Sequence, residues 1–411
     1  MNAAANQHDI AIVGGGLIGL CAALALQAPH RKISVIESNS QIQDQSDPAG
    51  LNTRAIALSY SSVQIFKALG LWSDIKSLSA PIKTVHVSAR RRWGVTRIRA
   101  ADYGVDALGY VIESQLLGQR LWDKVKQSSL ISVVTNAAFE SIKTGAAVRL
   151  NYSAPQGCAS LQASLLLIAD GAQSKARESL GIKHRTIDYG QSAIITNLRF
   201  DKPVLATAYE RFTDAGPLAM LPLSHHRYAC VWVCRPETAR ELMTLQDVDF
   251  IQSLQQCFGL RLGFIQQMGQ RFSFPLQRTE AQSLTQRRCV LIGNAANALH
   301  PVAGQGFNLG LRDIATLHEV FTGHSISDLD DRLLSQKLVA YETLRRAEQR
   351  RVIRLSDGLV SLFSNDLPLL SQLRAAALAV VDILPGLKSE VALSAMGLAR
   401  AGNAMLRGRL Q

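Results

Sequence analysis

Three glycines and one acidic residue near the start of the chain have the spacing of a dinucleotide site. Gly14, Gly16 and Gly19 form a GxGxxG pattern directly after the β-branched run Asp9–Val13. Gly14 permits a tight turn, Gly16 lets a pyrophosphate approach the backbone, and Gly19 lets a helix pack closely on a strand. Glu37 can accept hydrogen bonds from a ribose 2′-hydroxyl, and its charge disfavours a 2′-phosphate. These residues predict a bound dinucleotide but do not separate FAD from NAD.

Two later segments also place polar groups directly after apolar runs. Asp170 and Gly171 follow one such run, where a plain turn is the alternative interpretation. Asn294 follows another, and a glycine-rich stretch leads from it into a helix that we expect to start around Asn308. Backbone N–H groups at this second glycine turn would face an anionic or polar ring edge. An NAD dehydrogenase does not need the second turn, whereas a long flavin cofactor does, so the pattern favours FAD.

The elements that must hold these residues indicate an α/β fold. The first motif has the order strand, glycine turn, helix, strand and acid, which is that of a βαβ unit on a parallel sheet. The segments at about 76–102 and 185–280 contain alternating runs, such as 193–198 and 228–233. This alternation predicts a second sheet that covers the ring of the cofactor.

The composition narrows the class of protein. The chain has 411 residues, of which 47% are hydrophobic and 18% charged, so it is long enough for two or three packed domains and too apolar to be disordered. The net charge of +12 is compatible with nucleic acid, anionic membrane or an anionic cofactor. Few aromatic residues in the basic stretches disfavour nucleic acid. The six cysteines form no CxxC pair, and we expect no metal site.

The sequence also bears on where the protein works. No run approaches the roughly 20 apolar residues of a membrane span, and no signal peptide pattern is found, so we expect a cytoplasmic protein. Arginines cluster at 90–99 and at 345–354. Each cluster is either a solvated basic face or a contact with the inner face of the cytoplasmic membrane.

Four longer segments resemble the ubiquinone-biosynthesis hydroxylases, which are class A FAD-dependent aromatic monooxygenases with the para-hydroxybenzoate hydroxylase fold. The resemblance is collinear over roughly 8–350, and the last segment is similar to the 2-polyprenyl-6-methoxyphenol hydroxylase branch. Most members have Asp and His where this chain has Asn294 and Asn297. The segments are TRAIALSYSSVQIFKALGLW (53–72), GYVIESQLLGQRLW (109–122), FTDAGPLAMLPL (212–223) and LIGNAANALHPVAGQGFNLGLRDIATL (291–317).

The resemblance implies an architecture and an activity. The activity is hydroxylation of the ring of a polyprenylated phenol through a flavin C4a-hydroperoxide, with NAD(P)H as reductant and O2 as co-substrate. The alternatives are another ring position, a soluble aromatic substrate, or a flavin-binding assembly subunit without turnover. Implied partners are a ubiquinone-biosynthesis complex, a membrane surface and a second copy of the chain. The architecture is an FAD-binding Rossmann-like domain of the GR2 type (1–75, 103–184 and 281–345), an inserted mixed-sheet substrate domain (76–102 and 185–280) and a helical C-terminal region (346–411).

The resemblance also implies which residues form the site. Gly216 and Pro217 match a loop on the substrate side of the flavin ring, with a simple hairpin turn as the alternative. His300 is a candidate base, although a lone histidine before proline is more often packed. Arg54 matches an arginine along the cofactor, with a surface salt bridge as the alternative. The cofactor-binding set is Gly14, Gly16, Gly19, Glu37, Arg54, Asp170, Gly171, Asn294, Pro301, Gly304, Gly306 and Asn308.

Overall fold

The fold is that of a computed structural model. It describes residues 7–40, 51–89, 95–203, 205–213, 216–224, 226–299 and 305–364, with the short stretches 389, 392–393, 396–398 and 403–408. Within 305–364, side chains are described as far as Arg354.

The described residues form strands β1–β20, helices α1–α9 and three short 3-10 helices. The strands are β1 (Gln7–Val13), β2 (Ile33–Ile36), β3 (Ala55–Ser59), β4 (Ala80–Ile82), β5 (Thr84–Ala89), β6 (Val95–Arg99), β7 (Gly109–Glu113), β8 (Ile131–Val134), β9 (Ala138–Thr144), β10 (Val148–Ala154), β11 (Gly157–Ile168), β12 (His184–Phe200), β13 (Thr207–Thr213), β14 (Gly216–Pro222), β15 (Arg227–Cys234), β16 (Ile265–Met268), β17 (Phe272–Ala281), β18 (Thr285–Gln286), β19 (Cys289–Leu291) and β20 (Asn297–Ala298). The helices are α1 (Leu17–Ala25), α2 (Tyr60–Ala68), α3 (Trp72–Lys76), α4 (Ser114–Lys126), α5 (Lys175–Ser179), α6 (Pro236–Thr244), α7 (Asp247–Phe258), α8 (Gln305–Phe321) and α9 (Asp331–Ser364), and the 3-10 helices are Ala100–Tyr103, Gly293–Ala295 and Met405–Arg407.

The first sheet carries the glycine motif. Its strands lie in the order β18-β19-β11-β1-β2-β8, and β9 and β10 form an antiparallel extension of β11. β1 pairs in parallel with β2 and β11, and β11 pairs in parallel with β19. Residues 10–13 of β1 and 33–36 of β2 are fully buried. Both faces of such parallel strands are covered, which is why their sequences are nearly continuous apolar runs. The carboxyl ends of these parallel strands meet at one edge, where they bring together Gly14, Glu37, Asp170 and Gly293.

The second sheet has the order β20-β17-β12-β15-β14-β13-β5-β6, with β16 also paired to β12. Only β13 and β5 pair in parallel among its described strands, so the sheet is mixed. Helices α6 and α7 cover one face through a core that includes Leu242, Phe250 and Leu254. The other face lines a cavity. A small third sheet, in the order β3-β7-β4, contributes to the same cavity.

The α/β architecture with a mixed second sheet is confirmed. The division into domains stays a prediction, and one of its boundaries, 345/346, falls inside α9, which runs without a break from Asp331 to Ser364. Helix α8 already includes Gln305, three residues before the expected start. In the part of the chain that is described, no helix is long and apolar enough to cross a membrane.

Candidate active site

The glycine turn between β1 and α1 contains glycines of two kinds. Gly14 has φ +101°, and a Cβ there would lie 2.5 Å from the Ala169 carbonyl oxygen. A Cβ on Gly19 would overlap the Gly14 carbonyl. Gly16 differs, because apart from its two chain neighbours no residue has an atom within 4 Å of the position its Cβ would take. The fold therefore requires Gly14 and Gly19, whereas Gly16 leaves open space of the kind that a pyrophosphate needs.

Glu37 is held beside this turn by hydrogen bonds within the chain. The Gly15 N–H donates to Glu37 Oε2 at 2.6 Å. The backbone and side-chain nitrogens of Asn39 both donate to Oε1 at 2.9 Å. Each carboxylate oxygen has about two acceptor sites, so Oε2 keeps a free one for a hydroxyl. The predicted contact with a ribose is compatible with this geometry.

Asp170 and Gly171 form the turn after β11. Gly171 has φ +92°, which favours glycine, and Asp170 Oδ2 accepts from the Ala176 N–H at 3.1 Å. Asp170 Oδ1 is buried and has no hydrogen-bond partner among the described residues. A buried acceptor without a partner costs about 1–3 kcal/mol, and a hydroxyl of a bound cofactor would supply the missing donor.

Arg177 is a positioning residue that the sequence alone did not identify. It is 1% exposed, and its guanidinium donates to the Ala295 and Ala172 carbonyls, each at 3.0 Å. It therefore joins the turn that contains Asp170 to the turn that contains Asn294. Burial lowers the pKa of Arg177, while Asp170 and Glu178 raise it. The sequence signal that could have found it is an arginine shortly after the Asp170–Gly171 turn.

Asn294 and the start of α8 face the cavity, but Asn308 uses its side chain elsewhere. Asn294, Gly306 and Asn308 all line the cavity. Asn308 Oδ1 accepts from the Ser59 N–H at 2.8 Å and from the Ser62 hydroxyl at 2.7 Å, and its Nδ2 donates to the Ala57 carbonyl. Its amide therefore ties α8 to β3 and α2. Pro301, Gly304 and the candidate base His300 lie outside the described residues.

A buried network of charges holds the Asn294 turn from behind. The Gly293 N–H donates to Asp313 Oδ2 at 2.9 Å, and Arg345 Nε donates to Asp313 Oδ1 at 2.7 Å. Glu348 joins Arg345 to Arg312. Burial alone would lower the pKa of Arg345, but the carboxylates of Asp313 and Glu348 raise it above its ordinary value. Arg345 is 1% exposed, so it belongs to this network rather than to a solvated basic face.

Arg54 is exposed at the edge of the cavity. Its guanidinium lies 4.8 Å from the ring centroid of Phe274 and 6.0 Å from that of Phe272, which is cation–π geometry. It forms no ion pair with another described residue, so the salt-bridge alternative is not observed there. Its predicted place along the cofactor is compatible with its position beside the cavity.

The cavity between the second sheet and the start of α8 has a volume of about 440 Å³. Its walls are mostly apolar, as at Val231 and Leu221. Pro217 lines it, and Gly216 has φ +141° with space for a Cβ blocked by the Val233 carbonyl oxygen at 2.5 Å. Gly216 and Pro217 therefore begin β14 rather than forming a free loop, and their place on the substrate side of the flavin ring stays a prediction. No group of metal-ligating side chains occurs in the described part of the chain.

These residues fit FAD. Gly16 leaves room for the phosphates, Asp170 offers an unpaired acceptor, and an apolar cavity for a second molecule adjoins α8. Phosphates at a helix N-terminus and an aromatic substrate in an apolar pocket are the usual arrangement for such ligands. The fold and the site together define a flavin-dependent oxidoreductase.

The chain belongs to the FAD binding domain family, which matches residues 7–356. It is 31% identical to ubiquinone hydroxylase UbiL of Rhodospirillum rubrum, over 96% of this chain and 90% of that protein. It is 28% identical to 3-demethoxyubiquinol 3-hydroxylase of Escherichia coli, over 95% and 98%. Its fold is similar to that of p-nitrophenol 4-monooxygenase PnpA of Pseudomonas putida DLL-E4, with a TM-score of 0.77 and 17% identity over 96% of this chain and all of that one. The chain is an FAD-dependent monooxygenase.

Proposed function

We propose that this chain hydroxylates the ring of a polyprenylated phenol, of the 2-polyprenyl-6-methoxyphenol type, in ubiquinone biosynthesis. The observation that carries the proposal is the apolar cavity of about 440 Å³ beside the FAD-binding turns. Apolar walls suit a ring with a hydrocarbon tail better than a charged soluble aromatic such as a benzoate. Relatives that carry the names ubiquinone hydroxylase and 3-demethoxyubiquinol 3-hydroxylase match this chain over more than nine tenths of its length.

The residues of the chain bind and orient the cofactor. The glycine turn at Gly16 and the carboxylate of Glu37 would hold the ADP half, and Asp170 would accept from a hydroxyl. When bound, FAD supplies the activation of O2 with electrons that NAD(P)H delivers. Backbone N–H groups near Gly306, at the start of α8, would stabilise negative charge at the edge of the flavin ring.

The cavity orients the substrate and excludes water. Side chains such as Ile195, Val231 and Val233 present no hydrogen-bonding groups to the ring. Water exclusion protects a reactive oxidant and strengthens the electrostatic interactions in the site. Positioning of the ring carbon next to the cofactor is then the chief contribution of the protein.

Labelled dioxygen tests the proposed reaction. The FAD-loaded protein is supplied with NADH or NADPH, isotopically labelled O2 and a 2-methoxyphenol with a short prenyl chain at C6. We expect a product that has gained one labelled oxygen atom on the ring. The matched comparison is 4-hydroxybenzoate, a soluble phenol that has no prenyl chain. Preferred hydroxylation of 4-hydroxybenzoate, or labelled oxygen in neither product, would contradict the proposal.

A further inference from the structure

Glu210 is the one acidic side chain among the described residues that line the cavity. It lies in β13, opposite Ala219 of β14 and beside Val87 of β5. Side chains alternate between the two faces of a strand, and Ala208 of the same strand also lines the cavity. The carboxylate therefore stands on the apolar face of the sheet that a substrate would contact.

No charge compensates Glu210 within the described structure. It has no hydrogen bond or ion pair to another described residue, and its cavity neighbours on the adjoining strands, among them Ala219 and Leu221, are apolar. Burial raises the pKa of Glu210 to about 7. A carboxyl group without a partner at an apolar wall destabilises the protein, and a ligand with an O–H donor would remove that cost.

The other titratable groups near β13 lie on the opposite face of the sheet. His86 of β5 pairs with Tyr209, and the Arg261 guanidinium lies 2.6 Å from His86 Nε2. Burial, with Arg261, Arg97 and Arg211, lowers the pKa of His86 to about 4. This cluster is separated from Glu210 by the backbone of the sheet.

Across the cavity, the facing elements offer no second proton acceptor of similar strength. Arg54, the residue before β3, is a cation that packs on Phe274, and Gln305 at the start of α8 carries a neutral amide. Of the described residues at this cavity, Glu210 is therefore the one that can take a proton near neutral pH.

We propose that Glu210 binds the phenolic hydroxyl of the substrate and accepts its proton, an inference that rests on the proposed function. The phenol O–H bond breaks, its electron pair stays on the phenol oxygen, and the proton forms an O–H bond on the Glu210 carboxylate. The ring carbons ortho and para to that oxygen gain electron density, which makes them better nucleophiles. A positioned general base of this kind contributes about 10²–10⁴-fold to the rate.

The affinities for a phenol and for its methyl ether test whether Glu210 binds the phenolic hydroxyl. The probes are 2-methoxy-6-prenylphenol and the same molecule with the phenol oxygen methylated, each titrated into the FAD-loaded protein while the flavin absorbance is recorded. We expect wild type to bind the phenol about tenfold more tightly than the ether, since a hydrogen bond to a charged group contributes about that much. Glu210→Leu should remove the preference, and Glu241→Gln, an exposed carboxylate of α6, should keep it. An undiminished preference in the Leu variant would overturn the proposal.

Glu210→Gln and Glu210→Asp test the proton transfer. Gln keeps an acceptor oxygen but not the base, so ring hydroxylation should fall by about 10²-fold while NAD(P)H oxidation continues, and Asp should restore part of the rate. Because the base must be ionised, the wild-type rate should fall as the pH drops below about 7, and the Gln variant should lack this fall. Wild-type hydroxylation by the Gln variant with full flavin content would refute the role of Glu210. If the wild-type protein neither binds nor hydroxylates the phenol, the proposed function itself fails.

Discussion

At the scale of single residues, the glycine turn contains two glycines that the fold requires, Gly14 and Gly19, and one that leaves space for a ligand, Gly16. Gly19 contacts the Gly14 carbonyl so closely that any side chain would displace the turn. Gly16 has ordinary backbone angles, with φ −68°, and open space around it. The sequence pattern assigns these separate roles to the three glycines, and the space around each glycine is compatible with its role.

A pair of alanine variants tests this distinction. Gly16→Ala should leave the melting temperature of the FAD-free protein nearly unchanged and weaken FAD binding about tenfold or more, because the methyl group would occupy space meant for the phosphates. Gly19→Ala is the control, and it should lower the melting temperature of the FAD-free protein. The measurements are thermal unfolding and FAD titration by flavin fluorescence. Equal FAD affinity in wild type and Gly16→Ala would show that Gly16 does not contact the cofactor.

At the scale of elements, the sequence was sufficient to predict those elements that are specified by a short, continuous stretch of residues. The GxGxxG unit, the turn at Asp170 and the strands of the first sheet follow from short apolar runs and the glycines that end them. Glu210 was not predicted, because the sequence of β13 shows no alternation of polar and apolar residues that fixes which side chains face the cavity. Asp313 and Arg345 were missed because their contact joins α8 to α9 across 32 residues.

The buried network between α8 and α9 offers a test at this scale. Arg345→Met leaves Asp313 buried without its charged partner, so the free energy of unfolding should fall by about 3–5 kcal/mol. The matched control is Arg240→Met, which breaks the exposed pair of Arg240 with Glu237 and should cost about 0–1 kcal/mol. Denaturant unfolding measures both. If the two variants lose the same stability, the network does not support the turn at Gly293.

At the scale of the whole molecule, two sheets with different tasks meet at the cofactor site. The carboxyl ends of the parallel strands in the first sheet bring together the turns that we predict to bind FAD, and the mixed sheet supplies the apolar wall of the cavity. The net charge of +12 includes buried arginines such as Arg177 and Arg345, whose guanidinium groups donate hydrogen bonds inside the fold. Arg350, Arg351 and Arg354 are exposed on α9, and contact between them and a membrane surface remains a prediction.

The quinone content of cells that lack this protein tests the central claim most directly. Mass spectrometry should find little ubiquinone and an accumulated polyprenylated phenol that lacks one ring oxygen, and its structure would name the hydroxylated carbon. Wild-type protein should restore ubiquinone, and a variant unable to bind FAD should not. Normal ubiquinone in the absence of the protein, with no such phenol accumulated, would contradict the account.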